Sequence, residues 1–96
     1  MLTSRQRSYL RALAHDLKPV VLTGSAGLTD AVLNEIEQAL AHHELIKVRL
    51  AAGDRDERMQ MTTKMCKQTG SDVVQNIGRV TVIYRAAREP RIKLPG

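Results

Sequence analysis

Aromatic side chains are nearly absent from this chain of 96 residues, which has no Phe, no Trp and only two tyrosines, Tyr9 and Tyr84. Many modules that bind single-stranded nucleic acid stack the bases on exposed aromatic rings. The scarcity of such rings therefore weighs against a base-stacking module. Tyr84 ends a predicted strand, where packing is at least as good an interpretation as stacking on a base.

Residues that bind metals or act as nucleophiles are also scarce. Cys66 is the only cysteine, which excludes an internal disulfide and a multi-cysteine metal site. His15, His42 and His43 are too few and too poorly spaced for a known metal motif. Cys66 lies beside Met65 on the apolar side of a predicted helix, so a packing role is favoured over catalysis. We expect no enzyme, no metal, no cofactor and no small-molecule substrate.

Long apolar runs are missing as well. Arg5, Arg7 and Arg11 interrupt the N-terminal region, which therefore lacks the apolar run of a signal peptide. Nowhere do eighteen apolar residues follow one another, as a membrane-spanning helix requires. We expect a cytoplasmic monomer that does not interact with membranes. The length suits one domain, residues 1–96.

Positive charge is in excess and unevenly placed. The formal net charge is +5, which attracts polyanions. Such layouts suit a protein that offers one face to a polyanion, although each charged stretch could also be an ordinary solvated surface. Residues 28–45 contain only acidic charges, Asp30, Glu35, Glu37 and Glu44, whereas residues 79–96 contain Arg79, Arg85, Arg88, Arg91 and Lys93 against Glu89.

Three helices are predicted from apolar spacing and end signals. The first runs from Thr3 to about His15, with Thr3 and Gln6 in capping-box spacing and Tyr9, Leu10 and Leu13 on one face. The second follows the N-cap Thr29, has Asp30 in its first turn, and ends near His42 and His43 as a solvated pair. The third opens at Asp54 and Glu57, continues through Met61, Met65 and Cys66, and stops at Gly70.

Four strands alternate with these helices. Residues 20–22 follow Pro19 as a short buried strand, and residues 45–50 form the next, with Lys47 and Arg49 on one side. Residues 73–77 and 80–85 flank Gly78 as a hairpin. The order helix-strand-helix-strand-helix-strand-strand predicts an α/β (α+β) two-layer sandwich. Its mixed four-stranded sheet has a parallel crossover at the front and one antiparallel pair. Residues 86–96 are predicted to form a basic, partly ordered tail.

A glycine loop, residues 24–27 (GSAG), joins the first strand to the second helix. Gly24 and Gly27 let the backbone approach a ligand, Ser25 adds a hydroxyl, and Ala26 leaves access open. Helix N-termini offer unpaired N–H groups and partial positive charge to phosphates. The spacing alone fits a tight turn at least as well. It lacks the Lys-Ser/Thr of a nucleotide-triphosphate loop and the third glycine of a dinucleotide fingerprint.

Several motifs together resemble the CRM domain family, in particular its stand-alone bacterial YhbY-type members. The resemblance covers nearly the whole chain. It departs from the family at Ala26, where relatives often have a polar residue. The matching segments are residues 15–29 (HDLKPVVLTGSAGLT), 32–40, 44–48 (ELIKV), 77–79 (IGR) and 84–85 (YR).

The resemblance implies a fold similar to the C-terminal domain of translation initiation factor three. It also implies RNA binding and association with precursors of the large ribosomal subunit. Structured RNA is favoured over single strands because aromatics are scarce. The alternative is an adaptor that docks on ribosomal proteins through its acidic second helix. The third helix is less familiar and is expected to carry little function. The predicted RNA contacts are Gly24, Ser25, Ala26, Gly27, Thr29, Lys18, Lys47, Arg49, Arg79 and Arg85.

Overall fold

A computed structural model describes residues 1–51 and 53–96 and contains the predicted series of elements. The boundaries differ from the predicted ones by one residue at most. In chain order the elements are α1 (Ser4–Ala14), β1 (Pro19–Leu22), α2 (Asp30–His43), β2 (Leu45–Arg49), α3 (Arg55–Thr69), β3 (Asp72–Ile77) and β4 (Val80–Tyr84).

Local end signals account for these boundaries. Thr3 and Gln6 form the predicted capping box, in which each side chain accepts the other's backbone N–H at 3.1 Å. The side chains of Thr29 and Asp54 cap α2 and α3. Gly70 ends α3 in the left-handed conformation, with φ of 65°, where an L side chain is strained.

The sheet is mixed, with strand order β1-β2-β4-β3. β1 and β2 are parallel and connected through α2, as predicted. The sequence implied one antiparallel pair, but the structure has two, because β4 pairs with both β2 and β3. The β3–β4 hairpin has a local turn signal, whereas β2 and β4 are separated by a helix and a strand, so no short-range pattern reports their pairing.

The sheet carries helices on both faces, which corrects the predicted two layers. α2 and α3 cover one face, and α1 forms a partial third layer on the other. A cluster of buried residues fills each side of the sheet. The cluster beneath α2 and α3 consists of Val21, Ile36, Leu40, Ile46, Val48, Leu50, Met65 and Ile83. The cluster beneath α1 consists of Leu10, Ala14, Leu45, Val74, Val82 and Tyr84.

Some predicted core positions are exposed. Leu10 is buried in α1, but Tyr9 and Leu13 are exposed, because this single helix covers only part of its sheet face. Of the predicted buried strand only Val21 is buried, and Leu22 keeps 63% of its surface exposed. β1 is an edge strand, so its side chains lack a neighbouring strand on one side.

The C-terminal residues 86–96 have no helix or strand, yet they contact the rest of the domain. Ile92 and Leu94 pack against the cluster beneath α1. The Gln6 side-chain amide donates to the Pro95 carbonyl at 3.1 Å. The segment predicted to be partly ordered is therefore attached near both of its ends.

A buried carboxylate holds the start of this segment. Glu44 is fully buried between α2 and β2 and has φ of 66°. Its carboxylate accepts the backbone N–H groups of Ala87 at 2.8 Å, Arg91 at 2.9 Å and Ile92 at 3.0 Å. The alternative that the acidic stretch 28–45 is an ordinary solvated surface therefore does not hold for Glu44, whose carboxylate is a buried internal acceptor.

The environment of Glu44 favours its charged form. Burial by itself raises the pKa of the carboxyl, but the three backbone N–H donors and the positive charge of Arg91 together outweigh it. The net effect is a pKa below the ordinary value of 4.5. Glu44 therefore remains ionised inside the fold and keeps its full capacity to accept hydrogen bonds.

Replacing this carboxylate tests its contribution to stability. We expect Glu44→Gln to lower the free energy of unfolding by about 2 kcal/mol, because a buried amide donor then faces backbone donors. Urea denaturation measures the change. Glu35→Gln, at an exposed position of α2, is the matched control and should change stability by less than about 0.5 kcal/mol. Equal losses in the two variants would contradict the anchoring role.

The stability difference between the wild type and Glu44→Gln should depend on pH. A carboxyl whose pKa is lower in the folded state stabilises the fold above its unfolded-state pKa, and this stabilisation is lost as the pH falls through the folded-state pKa. The stability difference between wild type and Glu44→Gln should therefore be constant near neutral pH. It should shrink progressively below pH 4.5. Urea denaturation at a series of pH values measures this difference.

Candidate nucleic-acid interface

The glycine loop closes on itself between β1 and α2. The Gly27 N–H donates to the Gly24 carbonyl at 3.0 Å, and the Thr29 N–H donates to the Gly27 carbonyl at 3.1 Å. Gly27 has φ of 75°, a backbone conformation that glycine adopts without strain. Gly27 is thus required by the turn itself, and its amide is not available to a ligand.

The tip of the loop presents the amides that remain. Ser25 and Ala26 are exposed, and within the described ranges 1–51 and 53–96 their N–H groups have no backbone acceptor. A Cβ atom added at Gly24 would meet nothing within 4 Å, so this side of the loop is open. The loop tip can therefore receive an anion on backbone donors.

The start of α2 offers fewer anion-binding groups than its position beside the loop suggested. The Thr29 hydroxyl accepts the Val32 N–H at 3.2 Å and is engaged as the helix cap. The exposed carboxylate of Asp30 lies in the first turn, where it stabilises the helix but repels a second anion. The anion-accepting part of this region is therefore the loop tip rather than the helix end.

Arg49 and Arg79 lie at the same end of the sheet as the loop. The Thr23 N–H donates to the Arg49 carbonyl at 2.9 Å, which connects the base of the loop to the end of β2. The Leu50 N–H donates to the Arg79 carbonyl at 2.7 Å, which brings the β3–β4 turn alongside. Both arginine side chains are exposed. The structure thus groups two of the five predicted basic contacts with the loop.

The two predicted lysine contacts lie farther from the loop. Lys47 is half-buried, two residues before Arg49 in β2, and lines a cleft beside Arg11 and Asp16 at the end of α1. Lys18 precedes β1, at the end of that strand opposite the loop, and lines an apolar groove with Leu13. These lysines extend the positive surface away from the loop rather than surrounding it.

Arg85 is used inside the fold, at the opposite end of the sheet from the loop. Its guanidinium donates to the Glu37 carboxylate at 2.7 Å and to the Thr69 carbonyl at 2.8 Å. It thereby connects the end of α3 to α2. A guanidinium already committed to these partners is a poor candidate for an external ligand.

The acidic surface of α2 is smaller than its sequence suggests. Glu37 is paired with Arg85, and Glu44 is buried. Of the four acidic residues in this region, only Asp30 and Glu35 are exposed. The adaptor hypothesis requires an acidic helix as the docking surface. Only two separate acidic charges of α2 remain exposed for that purpose.

Two arginines outside the predicted set, Arg55 and Arg58, lie near this end of the sheet. Both arginines lie in the first turns of α3 and line, with Asn76 and Gly78, a cleft of about 360 Å³ beside the β3–β4 turn. The available signal was their spacing of three residues at the start of a predicted helix. The same helix supports the loop, because a Cβ at Gly27 would lie 3.6 Å from the Met61 methyl carbon.

Two side chains considered for chemistry are engaged in packing. Tyr84 is buried in the cluster beneath α1, so its ring is not available to stack on a base. Burial also raises the pKa of its hydroxyl, with a smaller contribution from Glu44. Cys66 is half-buried against the other cluster, and burial raises the pKa of its thiol, which disfavours the nucleophilic thiolate.

The residues that the structure describes contain neither a membrane-spanning helix nor a cluster of metal ligands. None of their helices combines the length and apolarity needed to cross a membrane. No group of three or more His, Cys, Asp or Glu side chains is arranged to hold a metal ion within that part of the chain.

Comparison with known proteins identifies the family. The model of the CRS1/YhbY (CRM) domain matches residues 2–85, and the chain belongs to this family. It is 46% identical over 94 residues to a Haemophilus influenzae protein named RNA-binding protein, covering 98% of this chain and 95% of that one. It is 43% identical over 93 residues to a probable RNA-binding protein of Pseudomonas aeruginosa, covering 97% and 89%.

A solved structure supports the fold. The solution structure of a Staphylococcus aureus protein superposes with a TM-score of 0.86 at 35% sequence identity. The match covers 99% of this chain and 100% of that one. The α+β fold and the membership of the CRM family, both predicted from the sequence, are therefore confirmed.

The two glycines of the loop should respond differently to alanine. Gly27→Ala places a side chain at φ of 75° and should lower the free energy of unfolding by about 1–2 kcal/mol. Gly24→Ala should change it by less than about 0.5 kcal/mol, because Gly24 has no positive φ and the space beside it is open. Thermal or urea denaturation measures both. Equal effects would contradict the loop geometry.

Proposed function

We propose that this protein binds structured ribosomal RNA in precursors of the large ribosomal subunit and assists their assembly. The observation that carries the proposal is the shared position of the open loop tip, Arg49 and Arg79 at one end of the sheet. The names of the relatives support RNA as the ligand. The ribosomal part follows from the resemblance to stand-alone YhbY-type proteins.

Backbone groups and side chains contact different phosphates of the RNA. The N–H groups of Ser25 and Ala26 donate to a phosphate oxygen at the loop tip, where no side chain blocks the approach. The guanidinium groups of Arg49 and Arg79 pair with neighbouring phosphates, for which their planar fork is well suited. Such contacts read the shape and spacing of a folded RNA rather than its base sequence.

The same proposal assigns the protein a non-catalytic role in the cytoplasm. Burial raises the pKa of the Cys66 thiol and of the Tyr84 hydroxyl, which disfavours the anionic nucleophile at both positions. The described surface offers backbone donors and arginines for holding an anion. The protein therefore acts by occupying or shaping RNA, and releases it unchanged.

Charge reversal at the loop tests the RNA contact. Gly24→Asp places a carboxylate at the open side of the loop and should weaken RNA binding about tenfold or more, because it repels the phosphate. Gly24 is preferred to Gly27, whose positive φ would add strain. Filter binding to large-subunit ribosomal RNA at fixed salt measures the change, and circular dichroism verifies the fold.

Gln68→Glu is the matched control for this experiment. It introduces a negative charge at an exposed position near the C-terminal end of α3, away from the loop. Its affinity should remain close to that of the wild type. Wild-type affinity in Gly24→Asp, or an equal loss in both variants, would refute the role of the loop.

The affinity of the wild-type protein for RNA should also fall about a hundredfold between roughly 50 and 200 mM salt.

The ribosomal part of the proposal is tested in cells. Deletion of the gene should increase the fraction of large-subunit precursors on sucrose gradients, and the tagged wild-type protein should co-sediment with that fraction. Expression of the Gly24→Asp variant should fail to restore the profile, whereas Gln68→Glu should restore it. An unchanged profile after deletion, with the protein absent from the precursor fraction, would overturn the assembly role.

A further inference from the structure

The last row of side chains on one sheet face is left uncovered beside the glycine loop. Leu22, Arg49, Val80 and Ile77 are register partners, one from each strand, and form a row across the whole sheet, here called the open row. Leu22 is 63% and Ile77 55% exposed, and the Arg49 side chain is exposed between them. Three strand spacings make the row about 14 Å long.

The length of α1 explains why this row is open. The helix packs against Leu45, Val82 and Tyr84, which lie toward the other end of the same face. It ends at Ala14, and the cleft at its C-terminal end is lined by Lys47 and by Ile77, where the open row begins. The sheet extends beyond the helix, so its last row has no helix above it.

The charges around the open row select an anionic partner. Arg49 lies within the row, Lys47 lies in the next row on the same face, and Arg79 lies in the turn beside Val80. The row itself contains no carboxylate, and Asp16 lies at the end of α1 in the cleft that includes Lys47. A partner that presents flat apolar groups together with phosphates matches this mixture of aliphatic and cationic side chains.

We propose that the open row receives unpaired bases of the RNA whose phosphates contact the glycine loop. This inference rests on the proposed function and specifies its ligand: a duplex interrupted by a bulge or an internal loop. One base can lie on the guanidinium plane of Arg49 beside Leu22, and a second unpaired base can cover Ile77 at the other end of the row. Thr23 directly joins Leu22 to Gly24, so one RNA strand can reach both the row and the loop.

This ligand class also reconciles the scarcity of aromatic residues with a surface for bases. Aliphatic side chains hold bases more weakly than aromatic rings do, so an isolated single strand gains little here. When the adjacent duplex is already bound through its phosphates, an added apolar contact improves the affinity of a complex that has formed. The open row therefore discriminates between paired and unpaired RNA rather than supplying most of the affinity.

A pair of RNA probes tests the inference. One is an uninterrupted duplex of about 20 base pairs, and the other is the same duplex with three unpaired uridines in the middle. The wild-type protein should bind the bulged probe at least about fivefold more tightly, as one good apolar contact provides. The double variant Leu22→Thr and Ile77→Thr should lose this preference and keep the wild-type affinity for the uninterrupted duplex.

Threonine suits this experiment because it favours strands and both positions are exposed, so the fold is preserved. Leu13→Gln, which removes an exposed leucine of α1 outside the row, is the control and should keep the preference. Crosslinking from 4-thiouridine in the bulge should label a peptide that contains residue 22 or residue 77 in the wild type.

The outcomes separate this inference from the proposed function. If wild type has no preference, or if the double variant keeps it, the open row does not bind bases and is available to a protein partner instead. In that case Gly24→Asp should still weaken binding to both probes, and the loop contact stands. If the wild type binds neither probe, the inference and the loop contact are both overturned.

Discussion

The buried carboxylate of Glu44 is the interaction on which the arrangement of this fold depends. It lies where α2 ends and β2 begins, in a backbone conformation that costs a residue other than glycine about 1–3 kcal/mol. Three backbone N–H groups from the C-terminal segment hold it there. The direction in which β2 enters the sheet and the path of the last ten residues are therefore set by the same side chain.

This arrangement also changes the electrostatics of the surface. Glu44 is withdrawn from solvent, and Glu37 is paired with Arg85, so two of the acidic charges near α2 contribute little to the outer field. The formal charge of +5 counts every residue equally and misses this placement. The end of the sheet that carries the loop, Arg49 and Arg79 is opposite these internal pairs. A polyanion approaching that end meets exposed cations on strand and turn, with Asp30 at the start of α2 and three carboxylates, Asp54, Asp56 and Glu57, at the start of α3.

Sequence reasoning succeeded where the physical cause is local. Thr3, Thr29, Asp54 and Gly70 cap or end helices through contacts within a few residues, and such contacts leave a readable spacing. It failed where a side chain finds a distant partner. Glu44 and Arg85 look like ordinary surface charges because their partners lie far along the chain. The pairing of β2 with β4 is equally invisible, since a helix and a strand separate the two along the chain and no short turn joins them.

For the candidate site, the order of elements predicted that the loop precedes a helix, but not which amides remain free. That depends on the turn closed between Gly24 and Gly27, which uses the amide of one glycine and leaves the tip exposed. The grouping of Arg49 with Arg79 required the register of three strands, and Arg55 and Arg58 joined them only when α3 was placed beside the hairpin turn. Which charged side chains share a binding face therefore depends on the strand register, which the sequence alone does not reveal.

The bond between Gln6 and Pro95 brings together two residues that are 89 positions apart. Both ends of the chain lie beside α1 and the Glu44 anchor, whereas the glycine loop is at the far end of the sheet. A short peptide linker could join residue 96 to residue 1 and make the backbone circular without crossing the loop. Such a ring would lose conformational entropy chiefly in its unfolded state, so the native state would become more resistant to heat.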